Sequence, residues 1–281
     1  MSGLHALVLT FDAPTNALEC ARAIAAQSVR VQSLLVVENP GGAPVNERAL
    51  QEATDLPTIL WTLSDNLGPA GGYAAGIDRL RDADLLWILD DDLVPDPTCL
   101  ERLLAESRSS QHHALVFPRL VDAATGAECS TWGWVGVLVP GTALRAVGLP
   151  NADLFYGSED QDYLIDRCGQ AGYPLVRVPE ASSTVHRRAG QRRPRWHFYY
   201  LARNTVYQHL YQRKHVSLGN RMKRMCAALA STVGMVDGPA RERAARYSLT
   251  ARGILDGILQ RMGRRIDPGR GTRPGIDKRE R

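Results

Sequence analysis

Three consecutive carboxylates, Asp90-Asp91-Asp92, close the apolar run Leu85-Leu-Trp-Ile-Leu. Side by side they repel one another unless positive charge lies among them. A hard divalent ion such as Mg2+ or Mn2+, which takes carboxylate and phosphate oxygens, would supply it. In an extended chain Asp90 and Asp92 project to the same side and could share one ion, directly or through water. A solvated acidic turn at a strand end would carry the same letters. Two other metal chemistries fail on spacing. An EF-hand loop begun at Asp90 needs glycine at its sixth position, where Pro95 stands. A phosphatase-type Asp-x-Asp usually follows a first strand and needs a lysine, and the chain's lysines are Lys214, Lys223 and Lys278.

A second acidic group lies in Gly157-Ser158-Glu159-Asp160-Gln161. Ser158 and Gln161 have the spacing of a capping box, which puts Glu159 and Asp160 in a first helical turn. There the helix dipole favours the ionised form and the adjacency of the two acids disfavours it. A carboxylate kept ionised at neutral pH can take a proton from a hydroxyl. Dipole complementation alone also puts acids in a first turn. Between the two acidic groups, Trp132 and Trp134 could offer aromatic faces to a sugar ring, or pack in a core. Upstream, Asp65-Asn66-Leu67-Gly68-Pro69-Ala70-Gly71-Gly72 could bring backbone amides and a helix N-terminus to an anion. It is neither a dinucleotide fingerprint nor a P-loop, and tight helix–sheet contact would use the same glycines.

These residues need elements to hold them. Apolar runs at Leu4–Phe11, Ser33–Glu38, Thr58–Leu63 and Leu85–Asp90 are short and non-alternating, as strands covered on both faces are. Helical segments fall between them, near Pro14–Gln27 and Ala70–Arg81. This alternation predicts an open α/β sheet whose ligands sit at the carboxyl ends of the strands. Thr10, Asp12, Glu38, Asn39, Asp65, Asn66 and the aspartate run stand there. Further strands are expected at Ala114–Pro118, Trp134–Val139 and Leu175–Val178. Helices are expected at Trp196–Arg213, about Leu218–Val236 and about Pro239–Gly263. The expected units are a domain at 1–213 with a nucleotide-binding half (1–110) and an acceptor and base half (111–213). Helices at 214–266 and a basic tail at 267–281, with the composition of a disordered segment, follow.

The net charge of +4 conceals a division. Residues 1–186 hold 11 arginines and 24 acids, whereas residues 187–281 hold 23 basic residues and 6 acids. Such asymmetry points to an anionic partner for the basic part. The five scattered cysteines show no zinc spacing and suggest reduced thiols in a cytosolic protein. No signal peptide is read in MSGLHALVLTF, and no apolar run reaches the ~18 residues that cross a bilayer. The arginines around Arg187-Arg188 and Arg192-Arg193-x-Arg195, just after His186, could clamp phosphate or lie solvated.

Taken in order, strand-end Thr10, Val36-Val37-Glu38-Asn39, Asn66-x-Gly68-x-Ala70-Gly71-Gly72, Asp90-Asp91-Asp92, Glu159-Asp160-x-Asp162-Tyr163 and His186 resemble the motif series of inverting glycosyltransferases of family 2. The resemblance spans about residues 4–215. It is greatest to the bacterial galactofuranosyl- and rhamnosyl-transferases of cell-wall assembly, which share an aromatic segment like Phe198-Tyr-Tyr-Leu-Ala-Arg203-Asn204. It implies an α/β GT-A (Rossmann-like) fold with a helical C-terminal extension. Transfer of a galactofuranose- or rhamnose-type sugar from a UDP- or dTDP-sugar to a glycan or polyprenyl-linked acceptor is implied with it. By the same resemblance Thr10 and Glu38 would contact the donor's pyrimidine nucleoside, while Asn66, Gly71 and Asp91 would line the nucleotide-sugar pocket. Asp90 and Asp92 would handle ribose, diphosphate and Mn2+ or Mg2+, with His186 completing the metal shell. Asp160 would be the base, with Glu159 the competing candidate. The chain departs from the family in reading Glu-Asn for the commoner Asp-Asn, and Gly-Ser-Glu-Asp for Trp-Asp-Asp.

The expected location is the cytoplasm, at the inner face of the plasma membrane, with the basic part toward anionic lipid and no nucleic-acid partner. Two rivals remain. A sugar-phosphate nucleotidyltransferase would carry Arg and Lys in a glycine-rich loop after its first strand, which Thr10-Phe-Asp-Ala-Pro lacks. A non-enzymatic polyanion- or membrane-binding protein would leave both acidic groups unexplained.

Overall fold

A computed structural model describes residues 3–186 and 193–268. The basic tail from residue 269 and Arg187, Arg188 and Arg192 lie outside the described residues.

Four parallel strands form the first half of a nine-stranded sheet: β1 (Leu4–Thr10), β2 (Ser33–Glu38), β3 (Thr58–Thr62) and β4 (Leu85–Asp90). The remaining strands are β5 (Leu93–Pro95), β6 (Leu115–Asp122), β7 (Glu128–Cys129), β8 (Val135–Pro140) and β9 (Leu175–Val185). The order is β3-β2-β1-β4-β8-β6-β9-β5, with β7 on the outside of β6. β8 runs antiparallel to β4, so the sheet changes from parallel to mixed beside the aspartate run.

The helices are α1 (Pro14–Ala25), α2 (Glu47–Ala53), α3 (Gly68–Arg79), α4 (Cys99–Ser109), α5 (Gly141–Val147), α6 (Cys168–Gln170), α7 (Arg195–Tyr207), α8 (Leu218–Gly234) and α9 (Ala240–Ile258). π-helical turns at Gln161–Arg167 and Gln208–Gln212 lead into α6 and out of α7. The strands read as continuous apolar runs because both faces are covered. Ala6 and Val8 pack with Ala17, Ile24 and Leu103 on one side. Leu7 and Leu9 pack with Tyr73, Ile77 and Leu144 on the other. Gly72 and Gly76 owe their identity to that second layer. A Cβ at either would lie 2.5 and 2.6 Å from Leu9 and Leu7, so α3 sits against the sheet only as glycine there. Behind the mixed half, α7 and α9 pack against each other and carry a third, aromatic cluster of Phe155, Tyr199 and Tyr200.

The capping box expected at Ser158 does not form. Ser158 takes φ 68°, its carbonyl accepts the Asp162 amide, and the Asp160 carboxylate itself accepts from the Gln161 amide at 2.7 Å.

Candidate active site

The parallel strands deliver polar residues to one edge. Thr10, at the end of β1 and 2% exposed, donates its hydroxyl to Asp91 Oδ2 at 2.5 Å. Glu38, at the end of β2, is buried, and both its oxygens serve as latches. Oε1 accepts the Val45 amide at 2.6 Å and Oε2 the Thr62 hydroxyl at 2.8 Å. Its neighbour Asn39 pins the glycine-rich loop from both sides, accepting from the Leu67 amide at 2.9 Å and donating to Gly68 O at 3.1 Å.

Within that loop, Asn66 Oδ1 accepts the Gly68 amide at 2.9 Å. Gly68 has φ +67°, and a Cβ there would lie 2.1 Å from Phe155 O, so the loop closes against the 153–158 segment only with glycine. Gly71 is buried in the first turn of α3 behind Leu67.

Asp90 is held through both its backbone and its side chain. Its amide donates to Trp134 O at 2.8 Å, and the Tyr73 hydroxyl donates to its Oδ1 at 2.5 Å. Burial pushes its carboxyl well above the ordinary range and the Asp92 charge adds to this. The Tyr73 hydrogen bond acts in the opposite direction, and Asp91 and Asp160 contribute further repulsion. Asp92 is joined to His186 through the backbone, the His186 amide donating to Asp92 O at 2.7 Å, next to the β5–β9 pairing. The His186 side chain is exposed.

Glu159 and Asp160 approach this group from the second half. Asp160 is half-buried, and its Oδ2 lies where a Cβ on Gly133 would be 2.7 Å away, so Gly133 leaves it room. Burial raises its pKa to about 6, against the opposing bond from the Gln161 amide. Glu159 is 5% exposed, and burial followed by the Asp160 charge raises it well above the ordinary range. Both acids are thus pushed toward the protonated form, Glu159 by its deeper burial and then by the Asp160 charge.

The fit to a metal can be judged from the donors. The oxygens of Asp90 and Asp92 suit a hard divalent ion, and the repulsion from Asp92 that adds to the burial of Asp90 is what such an ion offsets. Among the described residues no three His, Cys, Asp or Glu side chains gather closely enough to hold a metal ion. Mg2+ is commonly bound by one or two carboxylates together with substrate phosphates, and this donor set fits that pattern.

Trp134 is a core residue rather than an acceptor platform. It is 3% exposed, stacked on Tyr73 with centroids 4.5 Å apart and packed against Tyr163 at 5.7 Å. Trp132 is half-buried, with the Arg177 guanidinium 4.3 Å from its ring centroid and Phe117 edge-on. Four residues that shape the site escaped the sequence reading: Asn39 as a loop pin, Tyr73 as the donor to Asp90, Gly133 as the space for Asp160, and Arg264. The last donates to Asp65 Oδ1 at 2.9 Å and to Asn66 O at 3.3 Å. Only the Glu38-Asn39 motif gave a signal for any of them.

Residues 6–128 match the family described as Glycosyl transferase family 2. No curated protein sequence matches the chain. Among solved structures, TarS of S. aureus superposes with a TM-score of 0.55 at 12% identity, covering 90% of this chain and 53% of TarS. The chain thus spans about half the length of that protein. The fragment TarS 1–349 gives a TM-score of 0.60 at 11% identity, over 92% of this chain and 81% of the fragment. The same fragment in complex with UDP-GlcNAc gives 0.58 at 13%, over 90% and 88%. At these identities the likeness is one of fold, and that fold is the GT-A arrangement of a mixed, curled sheet flanked by helices.

Proposed function

We propose, from the match of residues 6–128 to glycosyl transferase family 2, that the chain transfers a sugar from a nucleotide-diphosphate donor to a hydroxyl, with inversion at the anomeric carbon. The observation that carries this reading is the convergence of two acidic groups distant in sequence. Asp160 Oδ2 lies over Gly133, and the carbonyl of the next residue, Trp134, accepts the Asp90 amide at 2.8 Å.

Inversion requires a base on the face of the sugar opposite the leaving group. Asp160 would accept the proton of the acceptor hydroxyl as that oxygen bonds to the anomeric carbon. The bond from that carbon to the diphosphate oxygen breaks in the same step, and the electron pair leaves with the nucleotide. Glu159, protonated beside it, would keep a second negative charge out of the base position. Asp90 and Asp92, next to His186, would hold a divalent ion whose chemistry is to offset the charge developing on the diphosphate. Thr10 and Glu38 would face the nucleoside, and Asn66, Gly71 and Asp91 the rest of the donor.

A UDP-sugar is the favoured donor, since a protein of the same fold is seen with UDP-GlcNAc. The motif resemblance keeps galactofuranose and rhamnose carriers, and so dTDP-sugars, in the panel. For the acceptor we favour a glycan or polyprenyl-linked sugar at an anionic membrane face. No helix among the described residues is long and apolar enough to cross a membrane. α9, however, turns Tyr247, Leu255 and Ile258 outward at 44, 52 and 46% exposure. Arg241 and Arg243 are exposed on the same helix. Its two acids are withdrawn, Glu242 onto Arg195 and Asp256 into the interior. An apolar stripe among arginines suits the surface of an anionic bilayer.

Thermal denaturation with UDP- and dTDP-sugars, with and without Mn2+, tests the core of this reading. Metal-dependent stabilisation by one donor, followed by its slow hydrolysis, is the expected outcome. Stabilisation by any polyanion regardless of metal would replace the enzyme with a polyanion-binding protein.

A further inference from the structure

The most deeply buried polar groups near the base lie behind it, on α7. Arg203 and Asn204 are 0% exposed and Gln208, just past the end of α7, is 1% exposed. All three direct their donors at the loop 153–158. That loop holds Phe155, Gly157 and Ser158 at φ of 58°, 79° and 68°. Two of the three are not glycine, and residues with side chains keep such a backbone only where the surroundings enforce it.

The enforcement is visible bond by bond. Arg203 Nε donates to Asn204 Oδ1 at 2.9 Å, which fixes which end of the amide faces the loop. The two N–H groups of Asn204 are then shared among the carbonyls of Leu154, Tyr156 and Gly157, at 3.0, 2.9 and 2.7 Å. Arg203 adds bonds to Leu154 O at 2.7 Å and Asp153 O at 3.2 Å. Gln208 Nε2 donates to Ser158 O at 3.0 Å. Glu159 and Asp160 are the next two residues of the chain.

We propose that Asn204, held by Arg203, is a positioning residue for Asp160. By gripping three carbonyls of the loop, those of Leu154, Tyr156 and Gly157, it fixes the left-handed turn from which Asp160 points toward Gly133 and the aspartate run. Asn204 acts through the backbone alone and exchanges no proton with substrate. This inference rests on Asp160 being the base. Alanine at position 204 would remove all three bonds and release the turn, and with it the direction of the carboxylate.

The test compares wild type, Asn204→Ala and Gln208→Met in the full chain, using the donor that the wild type turns over. Misplacing a base by an ångström lowers turnover on the order of 100-fold, so Asn204→Ala should lose about that much in kcat, and Gln208→Met less. Donor dissociation constants, read by calorimetry with UDP or the UDP-sugar, should stay within about twofold, because the lost interaction belongs to the transition state. Amide hydrogen exchange should rise at residues 157–161 and remain slow in β1–β4.

A folded Asn204→Ala with wild-type kcat overturns the proposal. So does donor affinity falling in step with kcat, which marks a merely structural role, or unchanged exchange at 157–161. If Asn204→Ala does not fold, Gln208→Met, which loses the bond to the Ser158 carbonyl, probes the same turn, and wild-type kcat with unchanged exchange at 157–161 in that variant overturns the proposal. A wild type that turns over no nucleotide sugar overturns the functional reading instead. The exchange pattern alone then decides whether Asn204 holds the turn.

Discussion

The Tyr73 hydroxyl reaches from α3 to the end of β4 and donates to Asp90 Oδ1, tying the helix after the glycine-rich loop to the first aspartate of the run. That bond favours the ionised carboxylate, against the burial and the Asp92 charge that favour the acid. Tyr73→Phe should therefore raise the Asp90 pKa further and weaken binding of the metal–nucleotide pair at neutral pH. A hydrogen bond to a charged group contributes about 1.5–3 kcal/mol, so a loss in affinity of roughly 10- to 100-fold is expected, partly recovered at higher pH. Calorimetric titration of UDP with Mn2+ at pH 6.5 and 8.5 checks it.

Asp160→Asn should abolish transfer while nucleotide binding persists, whereas Glu159→Gln should keep most activity. Because the base must be ionised, kcat/KM should rise with pH through about 6 and level off above it. Full transfer by Asp160→Asn removes that residue from the base role.

Gly133→Ala probes the same carboxylate from the opposite side. The new Cβ would stand 2.7 Å from Asp160 Oδ2, the free end of a side chain that can swing away. The fold should accommodate the methyl group and the base should move. Turnover should drop on the order of 100-fold with little change in melting temperature. Equal losses in stability and turnover would contradict this.

Stability of the metal-free protein should fall as pH rises. The folded pKa of Asp160, about 6, lies above its ordinary value, so the folded state binds more protons than the unfolded chain between those two values. The contribution is complete below the ordinary carboxylate range and lost above about pH 6. Asp90 and Glu159, raised further, extend the loss upward. Melting curves between pH 4.5 and 8 should show this slope. Asp160→Asn should flatten its lower part, and Mn2+ with UDP should reduce its upper part.

Vesicles test α9. Sedimentation with anionic vesicles, but not zwitterionic ones, is expected at low salt and should weaken as salt rises. Leu255→Ser with Ile258→Ser should abolish it without altering turnover of a soluble acceptor. Dimerisation lost in the same variant would assign the stripe to a second copy of the chain.

The sequence exposed what depends on residues close together in the chain. Strands covered on both faces, such as Leu85–Asp90, are contiguous apolar runs, and the polar residues that end them are adjacent letters. Features made by partners far apart stayed hidden. Nothing near Gly133 announces that Asp160 lies over it, and nothing near Tyr73 marks its reach to Asp90. Trp134 looked like a platform because an indole reads the same in a core as on a surface. Ser158 looked like a helix cap because its spacing to Gln161 fits one. The left-handed turn that prevents this is imposed by Asn204, whose role no local pattern encodes.

The contact of Arg264 with Asp65 and Asn66 has a consequence for how the protein is made. Its ends are 199 residues apart. It belongs to a strap also fixed by Tyr200 donating to Ile266 O at 2.7 Å. During synthesis the sheet can form long before that strap leaves the ribosome. The glycine-rich loop, though early in the chain, is therefore completed only after the sheet it rests on. A nascent chain halted short of the strap would hold the strands and the aspartates with the loop between them unfastened.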